Sequence, residues 1–358
     1  MSNISTLITG SGSYIPTVII KNNDFTKQTF FEKDNTKVDR PGEITVNQFR
    51  DITGIAERRW VNEDLNTSDI AAIAAERAIE SAGIDRETID QIIVAHNFGN
   101  VIKGTIQTDV VPSLAARVKN IIGIKNPGCI AYDIIFGCPG WLQGVIQAHS
   151  YIISGMAKRC LVIGAETLSR VSDKYDRDTM IFSDGAGATI IEGVETAERK
   201  GILSTAAVTH SNEELYYLYL GKSNAPESDP FVRYIKMHGR KIYEYSLSHV
   251  PAAMKTALDK SGVPVEKVKK ILIHQANEKM DEAIVKRFYK MFGMRPDISG
   301  IMPMNIQKLG NSSVATIPTL YDMIMKDMLT EHSINENDII IFASVGAGMN
   351  INAIVYKH

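Results

Sequence analysis

Two stretches of the chain repeat the same order of helix, turn and strand signals. Residues 74–96 read AAERAIESAGIDRETIDQIIVAH, and residues 252–274 read AAMKTALDKSGVPVEKVKKILIH. Each begins with an amphipathic helix pattern, which ends at a Ser/Gly break and is followed by a charged turn and a β-branched strand. Gly83 matches Gly262 at an offset of 262 − 83 = 179 residues. The repeat predicts a fold built from two related halves.

A second pair of similar segments follows in the same order. YDIIFGCPGWLQGVIQAHSYIISG precedes the strand CLVIGAE, and LGNSSVATIPTLYDMIMKDML precedes the strand DIIIFASVGAG. In this pair, Cys138 matches Asn311 at an offset of 311 − 138 = 173. Strands rich in Ile and Val alternate with helices, which favours parallel sheets covered by helices. We expect a first half at 1–194 and a second at 195–358, joined by the polar stretch 195–201.

Composition sets the broad class of protein. The chain has 358 residues, of which 44% are hydrophobic, enough for two core-forming units. The formal net charge of −2 gives no reason to expect nucleic-acid binding. We expect neither a secretory leader nor a membrane span, because the first residues given lack a basic region and no apolar run is long enough. Three cysteines, in no zinc-binding pattern, predict reduced thiols in the cytoplasm and no metal.

Cys138 is the strongest candidate for a catalytic residue. It follows the strand-like run 132–136 and lies between Gly137 and Pro139. Glycine permits a sharp turn here, and proline suits the first turn of a helix. The positive end of the helix dipole favours a thiolate, which is the nucleophilic form. By contrast, Cys129 and Cys160 have no helix start behind them, and we interpret both as packing thiols.

Two further polar residues follow strand or turn signals. His274 ends the strand KKILIH and begins HQAN, at the end of a strand where open α/β sheets place functional groups. The same position also suits a core histidine. Asn311 lies in LGNSSVA, where it suits a helix N-cap, and its match to Cys138 adds a functional interpretation. The glycines of SVGAGMN predict a close backbone approach that offers N–H groups to an oxyanion.

Taken together, these motifs resemble the β-ketoacyl-ACP synthase III family of the thiolase-like superfamily. The resemblance covers nearly the whole chain and includes GSGSYIP, TGIAERRW, SDGAGA, HQAN, GNSS and GAGMN. It implies an α/β thiolase-like fold, duplicated and five-layered (αβαβα), in a homodimer. It also implies an acyltransferase that joins acyl thioesters by decarboxylative Claisen condensation, without a permanently bound cofactor. Acyl-CoA or acyl-carrier-protein thioesters would be its substrates.

The resemblance assigns roles to individual residues. Cys138 would accept the acyl group, while His274 and Asn311 would hydrogen-bond the thioester carbonyl of the second substrate. The backbone N–H groups of Cys138 and Ala347 would form the oxyanion hole. Degradative thiolases use a second cysteine near the C-terminal glycines, and SVGAGMN has none. Elongating ketosynthases use two histidines, and here Asn311 takes the place of the second.

Some positions depart from the family pattern. Gln48 and Ile52 stand near where the family has a cofactor-binding tryptophan and arginine, whereas Arg170 matches the arginine on the other side of the adenine. Half of this clamp is therefore missing, which weakens the case for free acyl-CoA as the donor and leaves open an acidic carrier protein, which Lys279 and nearby Arg287 could bind.

The segment 97–109 also looks longer than usual. These departures suggest a specialised fatty-acyl or polyketide member, such as a ketosynthase of dialkylresorcinol synthesis. Two alternatives stay open: transfer of the acyl group to an oxygen or nitrogen nucleophile without condensation, and a non-catalytic partner subunit of a synthase.

Overall fold

The structure, a computed structural model, describes residues 3–358. Strands and helices alternate through most of this range. The strands are β1 (Asn3–Tyr14), β2 (Val18–Lys21), β3 (Glu57–Trp60), β4 (Gln91–Ala95), β5 (Asn100–Val101), β6 (Thr108–Asp109), β7 (Ile130–Ile134), β8 (Arg159–Thr167), β9 (Asp184–Thr196), β10 (Gly201–Thr209), β11 (Leu218–Gly221), β12 (Tyr234–Met237), β13 (Val268–Ile273), β14 (Ile339–Gly346) and β15 (Asn350–Lys357). The helices are α1 (Gly42–Thr53), α2 (Thr67–Ala82), α3 (Leu114–Ile121), α4 (Gly140–Ile153), α5 (Gly239–Ser261), α6 (Glu278–Lys290), α7 (Ile306–Leu309) and α8 (Thr316–Met325).

The main sheet consists of two similar parts that meet edge to edge. In the first half the strand order is β1-β9-β8-β4-β7, and in the second it is β10-β15-β14-β13. One parallel bridge, between Thr6 and Gly201, joins the two parts. In each half a long strand runs antiparallel to its neighbours, as β9 does beside β8 and β15 beside β14. The remaining inner pairs, β4 with β8 and β13 with β14, are parallel.

The predicted repeat corresponds to equivalent elements in the two halves. The helices α2 and α5 end at Gly83 and Gly262, whose φ angles of 63° and 73° place both in the left-handed region. Glycine adopts this conformation at little cost, which explains why it closes both helices. The strands β4 and β13 follow at the predicted positions. The repeat is therefore a repeat of structure as well as of sequence.

Helices and sheets stack in five layers, as predicted. One hydrophobic core lies between α2 and α3 and the outer face of the first sheet. A second lies between α5 and α6 and the outer face of the second sheet. The central core contains α4 and α8, packed between the inner faces of both sheets. Alternate strand residues supply the two faces, because successive side chains of a strand point to opposite sides.

The helix behind Cys138 lies in this central layer. Trp141, Leu142 and Val145 are buried, as its apolar sequence predicts, because both sheets cover α4. Of the other apolar residues of this helix, Ile146 is half-buried, and Ile153 is 51% exposed where the helix leaves the core.

The predicted joint falls at the connection between β9, which ends at Thr196, and β10, which begins at Gly201. The division into 1–194 and 195–358 stays a prediction. Among residues 3–358, no helix combines the length and the apolar character needed to cross a membrane.

Candidate active site

Cys138 lies in a tight turn between β7 and α4. Gly137 has a φ of 65°, so the residue before the cysteine uses the left-handed conformation that glycine tolerates. Pro139 is the N-cap of α4, one position earlier than the first-turn position that the sequence suggested. The N–H of Gly140 donates to the carbonyl of Gly137 at 3.0 Å, which closes the turn. The sulfur is therefore held beside the N-terminus of a buried helix.

The backbone of this turn lies against the segment after β14. A Cβ atom on Gly137 would lie 2.6 Å from the backbone nitrogen of Ala347, and one on Gly346 would collide with the nitrogen of Cys138. Only glycine allows the two segments to come so close. Among residues 3–358, neither Cys138 nor Ala347 uses its N–H in a hydrogen bond to a backbone carbonyl. Both N–H groups therefore remain available as donors, as an oxyanion hole requires.

His274 follows the last residue of β13. Its backbone N–H donates to the carbonyl of Ala343 at 2.9 Å, which fixes it beside β14. The side chain is buried, and its Nδ1 has no hydrogen-bond partner among the described residues. Desolvation lowers the pKa of His274 to about 4, because burial penalises the charged form. The imidazole is therefore neutral near pH 7 and offers one N–H donor.

Asn311 lies one residue before Ser312, the N-cap of the short 3-10 helix at Ser313–Ala315. Its Oδ1 accepts a hydrogen bond of 2.8 Å from the N–H of Ser313, as a capping residue does. Its backbone bonds to Ile181 and Ser183 at 2.9 Å each, and these contacts hold it against the first half of the chain. With the amide oxygen occupied, the amide nitrogen is left as a donor.

The predicted residues meet at one cavity of about 260 Å³. Cys138, His274, Asn311 and Ala347 all line it, although they come from both halves of the chain. The rest of the wall is mostly apolar and includes residues of the paired strands β11 and β12. Apolar members include Phe98, Leu168, Ile181, Phe182, Leu218, Leu220, Ile235, Met237, Ile242, Met280, Val345 and Met349. A wall of this kind suits an acyl chain whose reactive end meets a few polar groups.

An outer cavity of about 440 Å³ continues from this one toward the surface. The two cavities share five wall residues: Ile181, Met237, Ile242, Ala276 and Met280. Gln48 and Ile52 line the outer cavity, together with three arginines that sequence reasoning did not select: Arg40, Arg177 and Arg240. Arg40 donates to Gln48 at 2.5 Å, and Arg177 pairs with Glu32 at 2.9 Å.

Arg170 does not line either cavity, and its contact with the cofactor stays a prediction. Its guanidinium donates to the side chain of Asn66 at 2.5 Å and to the carbonyls of Val101, Leu65 and Asn62 at 2.6, 2.5 and 3.2 Å. Four oxygen atoms thus accept from its two terminal nitrogens, Nη1 and Nη2, and the side chain connects neighbouring loops.

Neither carrier-binding candidate on α6 reaches the two cavities. Lys279 is exposed on the first turn of this helix. Arg287 lies nearer the end of the helix, in a basic group with Lys286, Lys290 and Arg295. Both positions are open to a macromolecular partner rather than to a ligand inside the site.

The thiols differ in their surroundings. Desolvation raises the pKa of Cys138 to about 11, and the hydroxyl of Ser313, which donates to its sulfur at 3.3 Å, acts in the opposite direction. Burial therefore opposes the thiolate that the helix N-terminus was expected to favour. Burial also raises the pKa of Cys129, and that of Cys160 to about 12. Neither lines the two cavities.

Sequence reasoning missed three polar residues behind the nucleophile. Asn97 follows β4, Glu166 lies near the end of β8, and Ser313 comes two residues after Asn311. Asn97 and Ser313 also line the inner cavity. A polar residue just beyond the end of a buried strand, as Asn97 is two positions after Ala95, was the available signal.

The duplicated fold and the cysteine, histidine and asparagine around one cavity define a thiolase-like condensing enzyme. The profile described as 3-oxoacyl-[acyl-carrier-protein (ACP)] synthase III matches residues 132–211, and the profile of its C-terminal part matches residues 258–358. The chain is 32% identical to the β-ketoacyl-[acyl-carrier-protein] synthase III of Oceanobacillus iheyensis over 98% of both chains. The chain belongs to the 3-oxoacyl-[acyl-carrier-protein] synthase III family.

Solved structures agree with this assignment. The 3-oxoacyl-[acyl-carrier-protein] synthase III of Aquifex aeolicus superimposes with a TM-score of 0.79 at 29% identity, covering 99% of this chain and 100% of that one. OleA of Xanthomonas campestris superimposes with a TM-score of 0.77 at 18% identity, covering 100% and 99%, which shows the fold alone.

Proposed function

We propose that the protein condenses two acyl thioesters through an acyl group carried on Cys138. The observation that supports this most directly is the single cavity lined by Cys138, His274 and Asn311, with an apolar wall and an outer cavity leading to the surface. The proposal includes no permanently bound cofactor. Family membership supports the reaction type, and the residue roles are inferred from position and chemistry.

In the first step, the thiolate of Cys138 attacks the carbonyl carbon of the donor thioester. A carbon–sulfur bond to Cys138 forms, the carbonyl oxygen becomes an oxyanion, and the N–H groups of Cys138 and Ala347 donate to it. The tetrahedral intermediate then expels the carrier thiolate, which takes up the proton that Cys138 released. Placing both donors on rigid backbone avoids reorganisation as the charge develops.

In the second step, the thioester carbonyl of the extender accepts hydrogen bonds from His274 and Asn311. When the carboxylate of a malonyl-type extender leaves as carbon dioxide, its bonding electrons form an enolate whose oxygen these two donors stabilise. The enolate carbon attacks the acyl group on Cys138, a carbon–carbon bond forms, and the sulfur leaves as thiolate. A neutral His274 suits this role, because the neutral imidazole keeps one N–H that can donate to the enolate oxygen.

The outer cavity suits the arm of a thioester carrier. Its apolar floor would hold the pantetheine part, and Arg40 and Arg177 at its wall would interact with phosphate groups. Both coenzyme A and an acyl carrier protein present such an arm. Arg170 is not part of this proposal, because it lines neither cavity and both of its terminal nitrogens donate to loop oxygens, whereas Lys279 and Arg287 remain candidates for contacts with an acidic carrier.

We also propose that the protein acts as a homodimer in the cytoplasm. The strand β7 is at the edge of the main sheet, and apolar side chains near it are exposed: Ile130 at 52%, Ile135 at 70% and Val111 at 82%. A second copy would cover this edge and these side chains. The cysteines are free, and a reducing compartment would keep Cys138 in its nucleophilic form.

A condensation assay tests the proposed function. Purified protein would be incubated with an acyl-CoA and a malonyl-carrier thioester, and carbon dioxide and the β-ketoacyl product would be measured together. We expect both to form in equal amounts with the wild type and neither with Cys138→Ala. Transfer of the acyl group to an oxygen or nitrogen acceptor, with no carbon dioxide released, would contradict the proposal.

A further inference from the structure

A chain of hydrogen bonds leads from the sulfur of Cys138 into the first half of the molecule. The Oγ of Ser313 donates to the sulfur at 3.3 Å, and the Nδ2 of Asn97 donates to the same Oγ at 3.2 Å. The Nδ2 of Asn97 also donates to Oε1 of Glu166 at 2.8 Å. We call Glu166, Asn97 and Ser313 the polar relay. Its members are far apart in sequence and meet only in the folded chain.

The carboxylate fixes the direction of these bonds. Glu166 is buried, and its Oε1 accepts from both the backbone N–H and the Nδ2 of Asn97. Above its pKa of about 7, Glu166 is an ionised carboxylate with no proton to give, so the side-chain atom facing it is the amide nitrogen of Asn97 rather than the oxygen. The second hydrogen of that nitrogen points to Ser313. Because a hydroxyl has only one proton and already accepts from Asn97, its proton is left for the sulfur.

The backbone also holds Ser313 in place. Its φ of 53° lies in the left-handed region, which is uncommon for a residue other than glycine. Its N–H donates to Oδ1 of Asn311, so the proposed catalytic asparagine fixes the position of the serine. The hydrogen bonds from Ser313 to Asn311 and from Asn97 to Ser313 thus hold the serine in this uncommon conformation.

We propose that Asn97, held by Glu166, is a positioning residue that keeps the Ser313 hydroxyl aimed as a donor at the sulfur of Cys138. The inference rests on the proposed function, in which Cys138 reacts as a thiolate, and it identifies residues that support this state. A hydroxyl that was free to rotate would donate to the sulfur only part of the time. The relay therefore offsets part of the desolvation cost at a buried thiol.

The charge of Glu166 and the hydrogen bond that Glu166 holds in place act differently on the pKa of Cys138, so the two effects can be measured separately. His96 and Asp184 act on Glu166, and neutral His274 lines the same cavity as the sulfur. Burial raises the pKa of Glu166 to about 7, and its negative charge disfavours the thiolate of Cys138. The direct effect of this charge is opposite in sign to the effect of the donor that Glu166 holds. Removing the charge of Glu166 must therefore lower the pKa of Cys138, whereas removing the hydrogen-bond donor must raise it.

The test is the pH profile of Cys138 alkylation by iodoacetamide, followed by intact mass and assigned by peptide mapping. Ser313→Gly removes the hydroxyl and tolerates the left-handed backbone, and Asn97→Ala removes the donor behind it. A hydrogen bond to a charged group corresponds to a shift of about one pKa unit or somewhat more. We expect each variant to raise the apparent pKa of Cys138, and the double variant to match Ser313→Gly alone.

Two further variants sharpen the comparison. Ser312→Ala removes the neighbouring hydroxyl, which contacts Thr316 at 3.4 Å and not the sulfur, so its profile should stay that of the wild type. Glu166→Gln removes the charge but keeps an acceptor, so it should lower the pKa of Cys138. If Asn97→Ala alone does not fold, Asn97→Ala combined with Glu166→Gln replaces it, and its apparent pKa should exceed that of Glu166→Gln.

The proposal is overturned if folded Ser313→Gly or Asn97→Ala keeps the wild-type profile, or if their shifts add in the double variant. Additive shifts would mean that Asn97 acts on the thiol without Ser313. Alkylation needs no acyl substrate, so this result is independent of whether the protein condenses thioesters. A failure of the proposed function would appear instead as the absence of an acyl adduct or of condensation product.

Discussion

A Cβ atom placed on Gly137 would lie only 2.6 Å from the backbone nitrogen of Ala347. The residue before the proposed nucleophile thus packs directly against one of the two proposed oxyanion donors. We predict that Gly137→Ala slows acylation of Cys138 by roughly 10²–10³, because the donors separate and because alanine is strained at a φ of 65°. Rapid-quench acylation measures this, and a near-normal rate in a folded variant would remove Ala347 from the oxyanion hole.

A different step should fail when His274 is replaced. We expect His274→Ala to form the acyl adduct on Cys138 at close to the wild-type rate, since this side chain is proposed to contact the second substrate. Condensation should fall by roughly 10²–10³, the usual effect of removing a donor to a developing oxyanion. Single-turnover assays that follow adduct formation and product separately make the distinction. Equal loss in both steps would mean that His274 has another role.

Asn311 offers a matched comparison. Asn311→Asp keeps the oxygen that caps Ser313 and replaces the free amide donor with an acceptor. We predict a folded protein that condenses far more slowly than the wild type, with thermal unfolding little changed. Should condensation persist at the normal rate, Asn311 would be a helix cap alone.

The rate of acylation should change with pH in the same way as the ionised fraction of the Cys138 thiol. Because burial raises the pKa of Cys138 to about 11, the thiolate fraction increases about tenfold for each pH unit between 8 and 10, where Glu166, with a pKa of about 7, is already ionised. The acylation rate at saturating donor should rise in parallel. His274, with a pKa near 4, is already neutral throughout this range and adds no second step. A plateau reached below pH 8 would show that the thiol ionises far more readily than its burial indicates.

The other cysteines provide the corresponding controls. Cys129 and Cys160 are buried outside both cavities, and burial raises the pKa of each thiol. We predict that Cys129→Ala and Cys160→Ala keep acylation and condensation within about twofold of the wild type. Each variant should unfold at a lower temperature than the wild type, because removing the buried sulfur leaves a cavity. A thermal melt measures this change. Loss of acylation in a folded Cys129→Ala protein would mean that the wrong thiol was chosen.

The features that sequence predicted best depend on local chain chemistry. Gly83 and Gly262 mark helix ends because only glycine readily takes the left-handed conformation. Such an end can be recognised from the sequence alone. Cys138 and His274 lie at strand ends, where α/β sheets gather functional groups, so their position also followed from local pattern.

The features that sequence missed depend on contacts between distant residues. Arg170 looked suited to a cofactor, but its donors are used by loops that are close only in the folded chain, and Arg177 lines the cavity instead. The link from Glu166 through Asn97 to Ser313 spans more than half of the chain. The raised pKa of Cys138 likewise depends on burial, which no local pattern reports.

The central claim is that Cys138 carries the acyl group. Its most direct test is the intact mass of the wild type and of Cys138→Ala after incubation with a panel of acyl-CoA and acyl-carrier thioesters. The account predicts a wild-type mass increase equal to the acyl group, absent from the variant. An identical adduct on both proteins, or none on folded wild type with a free thiol, would contradict it.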